Sequence, residues 1–167
     1  EALPTAPLPL RLVHEGDAWK VVATESVRIE GPVFYIEMER TGAPVHIRAL
    51  THASFGQPLA SATESTITPS DVRTALTAEA LRRGLSAGEA DAFVDAWAPA
   101  YFDVCRRTGP EASGTPPVAL SQVGRSLLYF APTSAVDAMV PLRTNPPARE
   151  TKRVFLVRFV DEASVLP

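Results

Sequence analysis

Gly109-Pro-Glu-Ala-Ser-Gly114-Thr115 comes close to a phosphate-cradling loop. It lacks the lysine that reaches the phosphates, and it follows a helical pattern instead of a strand, so it reads as a plain loop. His46 and His52 are the next candidates. On one extended strand, six residues span about 20 Å, whereas a zinc ion needs each nitrogen within about 2.1 Å. The pair could share a metal only across a sharp turn, and His14 has no partner assignable from spacing. The sequence therefore gives no metal site and no cofactor. Cys105, the single cysteine, precedes Arg106 and Arg107, and cations can lower a thiol pKa. It also continues an apolar helical stripe near a helix end, where the dipole opposes a thiolate. It reads as a small buried hydrophobe. Gly124-Arg-Ser126-Leu-Leu lacks the closing glycine of a nucleophile elbow.

Asp91 and Asp95 stand four apart and share one helix face, a candidate carboxylate pair. The plainer reading is a solvated face. The helical pair at 69–107 invites comparison with a DNA-reading helix pair, but its second member begins with Glu89, Asp91 and Asp95 in place of the cations and amides that reach bases. Trp97 and Tyr101 are expected to face inward and anchor that helix on a sheet. Phe102 falls one step off the stripe, at a groove edge, and is a candidate contact residue.

The elements that position these residues follow from local pattern. Ala18–Ala23 and Val27–Glu30 read as short strands. Phe34, Ile36 and Met38 alternate on one face, as do Val45, Ile47 and Ala49 across the turn signal at 41–44. Matching these faces sets Arg40 opposite Val45, Met38 opposite Ile47 and Ile36 opposite Ala49. Glu39 then meets His46, and Glu37 meets Arg48, on an outer face. Residues 53 to 67 read as a connection. Thr68-Pro69-Ser70-Asp71 opens a helix and Arg82-Arg83-Gly84 closes it. Ser86 and Glu89 form a capping box for a second helix, with Ala90, Phe93, Val94, Trp97, Tyr101, Val104 and Cys105 as its stripe and Pro99 as a kink. A loop at 109–117 and a strand at 118–122 follow. Beyond them come a strand at 126–131, a short helix at 132–139 capped by Thr133 or Ser134, an irregular crossing at 141–149 and a strand at 152–160. The expected class is α+β, a mostly antiparallel sheet covered by a two-helix hairpin.

A chain of 167 residues can bury a core without metals or disulfides. A formal charge of −3 and a pI near 5.6 give no electrostatic footprint for nucleic acid. No apolar run reaches the roughly 18 residues of a membrane span. Residues 1–12 open with a Pro-rich stretch and read as an arm or linker, leaving 13–167 as one domain. Such an arm is common after a removed signal or lipoprotein anchor, so a periplasmic or extracellular location, lipid-anchored before processing or truncation, is expected.

Two stretches carry a resemblance. One is Glu89-Ala-Asp-Ala-Phe-Val-Asp-Ala-Trp-Ala-Pro-Ala-Tyr-Phe102. The other is Ser126-Leu-Leu-Tyr-Phe-Ala-Pro-Thr-Ser-Ala-Val-Asp-Ala-Met-Val-Pro-Leu142, followed by Arg153-Val-Phe-Leu-Val-Arg158. Together they resemble a module of uncharacterised exported bacterial proteins, with a Trp-containing helix, a Leu-Tyr-x-x-Pro strand, a Val-Asp short helix, a Pro-Leu turn and a final Arg-Val-Phe strand. The likeness covers roughly the last half of the chain and carries no catalytic signature. It implies export and a fixed α+β unit, and it singles out Tyr129, Asp137, Pro141 and Arg153. The leading expectation is a non-enzymatic module that binds a protein or cell-envelope component. An enzyme would need a deep pocket gathering Tyr129, Asp137, a histidine and an arginine. A small-ligand sensor would need a sealed apolar cavity near Trp97.

Overall fold

The computed structural model describes residues 9–16, 18–24, 28–38, 45–59, 67–102, 124–142, 145–146 and 151–160. Within them the chain is α+β, with two antiparallel sheets and three helices. β1 (Leu10–Glu15), β2 (Ala18–Ala23) and the two-residue β5 (Pro58–Leu59) form a three-stranded sheet in the order β1-β2-β5. β3 (Val33–Met38), β4 (Val45–Leu50), β6 (Gly124–Phe130) and β7 (Leu156–Val160) form a four-stranded sheet in the order β4-β3-β6-β7. The helices are α1 (Pro69–Arg82), α2 (Ala87–Phe102) and α3 (Thr133–Met139).

The expected single sheet is thus two. Period-two patterns say that a strand has faces, not which sheet it joins. β3 and β6 are the central strands, and both of their faces are buried. Phe34, Ile36, Leu128 and Phe130 join Ile47 of β4 and Val72, Leu76, Ala80, Ala90 and Val94 of α1 and α2 in one apolar cluster. Val33, Tyr35, Leu127 and Tyr129 join Leu10, Leu12 and Val21 of β1 and β2, with Ile29, in a second. Burial on both faces explains why Val33-Phe-Tyr-Ile36 and Leu127-Leu-Tyr-Phe130 read as continuous apolar runs.

Both long helices start as their sequences dictate. The Thr68 hydroxyl accepts the Asp71 amide, and the Asp71 carboxylate accepts the Thr68 amide at 2.8 Å. Ser86 and Glu89 repeat the device, with the Ser86 amide donating to Glu89 at 2.8 Å. Gly84, at φ +94, ends α1 in the left-handed region that glycine adopts without penalty. α2 continues through Pro99 to Phe102.

Several expectations are corrected. β1 begins at Leu10, whose side chain is fully buried, so the core starts inside the stretch read as an arm. The Pro-rich lead masked the Leu10-Arg11-Leu12 alternation. Residues 28–30 form no strand, and the last strand is confined to 156–160. α3 has Pro132 at its cap position, with no side-chain cap bond. The β3–β4 register is displaced by two residues. Met38 opposes Val45, Ile36 opposes Ile47, Glu37 opposes His46 and Tyr35 opposes Arg48. A shift of two keeps every side chain on its face, but that face is not outer, because the three-stranded sheet covers it. Trp97 is 46% exposed, not inward. The buried row of α2 is Ala90, Val94 and Ala98, in steps of four. Such a row drifts about 40° per step at 3.6 residues per turn and leaves Trp97 roughly 100° aside at the level of Ala98. The loop at 109–117, the strand at 118–122, the turn at 41–44, Cys105 and the Tyr101 side chain lie outside the described residues.

Candidate functional site

Of the residues singled out, Asp137 and Arg153 come together. α3 presents Asp137, and the extended segment before β7 presents Arg153. Arg153 Nη1 donates to Asp137 Oδ1 at 2.7 Å, and its Nη2 donates to the Val140 carbonyl at the end of α3. The guanidinium lies 5.6 Å from the centroid of the Phe155 ring, a cation–π distance. The arginine is largely covered, but Phe155 against it is 40% exposed and Val140, whose carbonyl it holds, is 51% exposed; two residues on in the chain, Leu142 is 55% exposed. Two exposed apolar residues therefore adjoin one positioned guanidinium, Phe155 by its ring and Val140 by its carbonyl. Singly exposed apolar residues are ordinary, whereas a group rimmed by charge marks a contact surface.

Tyr129 is elsewhere. It lies on the face of β6 that meets the three-stranded sheet and is fully buried. Among the described residues its hydroxyl has no hydrogen bond of good geometry. Burial pushes its pKa up to about 12, with the Leu10 backbone acting weakly the other way. A phenol held neutral in an apolar layer packs; it does not exchange protons near neutral pH. The pocket expected to gather Tyr129, Asp137 and a histidine is thus not formed by these residues. Phe102 ends α2, and its side chain lies outside the described residues.

Sequence reasoning missed a polar cluster between the sheets. Glu37 is 6% exposed, and Arg125, directly across on β6, holds its carboxylate at 2.8 Å. The Tyr35 hydroxyl makes a long 3.5 Å contact to the same carboxylate. Burial, then the charge of Glu37, raises the Tyr35 pKa to about 12. Arg125 also lies 5.4 Å from the Trp19 ring, which meets the His14 ring in a tilted contact with centroids 4.7 Å apart. His46 shares this face, with Nδ1 buried and without a hydrogen-bond partner among the described residues. A signal was present: Tyr35, Glu37 and Arg125 interrupt strands that are otherwise apolar, which is costly unless the charges pair. His52 stands on a short 3-10 turn, its ring 5.3 Å from Phe55. Among the described residues no three His, Cys, Asp or Glu side chains could hold a metal ion together.

Asp95 is ion-paired across the helices to Arg73, and Asp91 lines the same groove of about 560 Å³ between α1 and α2. No helix of the described residues is long and apolar enough to cross a membrane. No family model, curated protein or solved structure matches this chain.

Proposed function

We propose that this chain is an exported, periplasmic or extracellular bacterial domain that binds a protein or other cell-envelope component through the Arg153 surface. The observation that carries the reading is the exposure of Phe155 and Val140 beside a guanidinium already fixed by Asp137 and the Val140 carbonyl, with exposed Leu142 two residues further along the chain. A fixed arginine flanked by apolar and aromatic groups has the composition of an interface hot spot, at low ordering cost. The two long helices act as a cover over the four-stranded sheet, consistent with the apolar cluster they share, and leave the surface by α3 for contact. The resemblance to an exported module over the last half of the chain adds to the export reading.

A photo-crosslinking residue at position 142, with the purified chain titrated into an envelope extract of the producing cell, tests it. A discrete, saturable adduct is expected, lost on Phe155→Asp and absent from a control site at Asp91. Equal labelling from both sites, or no adduct, would rule the reading out.

A further inference from the structure

The groove between α1 and α2 carries a charge without a counterpart. Arg73 on α1 reaches across to Asp95 on α2. One turn along α1 from Arg73, toward the joint at 83–86, stand Thr77 and Ala78. One turn back along α2 from Asp95, toward the same joint, stands Asp91. Residues four apart share a helix face. The rung beside Arg73–Asp95 therefore sets Thr77 and Ala78 against Asp91, and all three line the groove. The place that a guanidinium fills on one rung is held by a hydroxyl on the next. Asp91 is exposed, and among the described residues its carboxylate has no ion pair or hydrogen bond. Nearer the joint, Leu81 lines the same groove and is 43% exposed, while the buried Val94 forms part of its floor. The volume of about 560 Å³ falls within the range of about 300–1,000 Å³ typical of small-molecule pockets.

We infer that this groove binds a primary alkylammonium ion, its head on Asp91 and its chain along Ala78 and Leu81. Charge complementarity selects the head: Arg73 answers one of the two lining carboxylates, which leaves the groove one negative charge in excess. An ammonium carries three N–H donors and no acceptor, so the Asp91 carboxylate and the Thr77 hydroxyl oxygen can share it. The exposed Leu81 selects the chain, since each methylene moved out of water adds up to about fourfold in affinity. This site does not depend on the Arg153 surface.

Hexylammonium is the probe, titrated into the whole chain with backbone amide shifts followed by NMR. Saturable shifts are expected, gathered on residues 77–81 and 91–94. Hexanol, which lacks the charge, and methylammonium, which lacks the chain, should bind at least about fivefold more weakly. Asp91→Asn should weaken hexylammonium by about fivefold or more. Thr77→Arg supplies the missing cation from within the helix pair, so it should abolish binding. Both positions reach solvent, so the unliganded melting temperature should stay within a few degrees in each variant. If Thr77→Arg fails to fold, Asp91→Asn still decides. Absence of saturable hexylammonium binding, equal binding of hexanol, or undiminished binding in either folded variant would overturn the inference.

Discussion

Two arginine–carboxylate assemblies in this molecule are built alike and differ in what surrounds them. At the end of α1, Arg83 donates to Glu79 at 2.7 Å, to the Ala131 carbonyl at 2.8 Å and to the Glu30 carbonyl at 3.2 Å, with its guanidinium 5.0 Å from the Phe130 ring centroid. Arg82 adds a fork on the same carboxylate, with both bonds at 2.7 Å. By α3, Arg153 repeats the plan: one carboxylate, one backbone carbonyl, one aromatic face. Glu79 and Phe130 are buried, whereas Asp137 and Phe155 stand in solvent. The first assembly ties α1 to the ends of β3 and β6. The second ties down little, because its aromatic and aliphatic members face outward. The same chemistry gives a lock where its partners are covered and, in the function proposed above, a contact surface where they are not.

Removing the buried carboxylate is the strongest way to break this contrast. Glu79→Ala leaves Arg83 covered and unanswered, and disrupting a buried pair costs about 3–5 kcal/mol. The lower end is expected here, because the tip of Arg82 reaches water and can be hydrated. Urea unfolding should show the midpoint falling with little change in slope. The next effect comes from Gly31. Its φ of +90 suits glycine, and a Cβ there would stand 2.6 Å from the Glu79 carboxyl carbon. The carboxylate cannot swing aside while two guanidinium groups hold it. Gly31→Ala should therefore cost about 1–3 kcal/mol, measured in the same way. A neutral result would mean that the lock is looser than its geometry implies.

Acid should test the buried assembly directly. Burial alone would raise the Glu79 carboxyl, but hydrogen bonds from Arg82 and Arg83, with their charges, outweigh it and hold the group below 4.5. A carboxyl lowered in the folded state stabilises fully above its unfolded value. That contribution is lost as pH falls from about 4.5 through the folded value. Unfolding measured from pH 6 down to pH 2 should show this limb flattened in Glu79→Gln. Equal acid limbs in wild type and Glu79→Gln would remove Glu79 from the account.

What was legible in the sequence follows the range of the forces involved. Helix starts at Thr68 and Ser86 are set by contacts within three residues, and both formed as read. The alternation of β3 and β4 assigned the faces, but the register slid by two, because apolar matching is nearly degenerate under such a shift. The linker at 39–44, which would fix it, carries no two-residue turn signature. Whether a charged residue such as Glu37 points to water or to a second sheet depends on β1 and β2, which are distant in sequence. Asp137 and Arg153 were singled out separately. Their pairing across 16 positions, and the separation of Tyr129 from both, needed the fold.

The smallest effect is expected at the open assembly, where stability and binding should part company. Asp137 is 57% exposed, and an exposed ion pair contributes about 0.2–1 kcal/mol. Asp137→Ala should thus move the unfolding midpoint barely beyond error, since Arg153 keeps the Val140 carbonyl and the Phe155 face. Leu142→Ser should be equally mild, because a side chain already 55% exposed loses little on truncation. If the surface is a contact site, both changes should nevertheless reduce adduct formation from a crosslinker placed at Val140. The first acts by loosening the guanidinium, the second by removing apolar area. Should Asp137→Ala instead cost as much as Glu79→Ala, the open assembly would be a second lock, and its exposed apolar rim would lose its reason to be read as a surface for a partner.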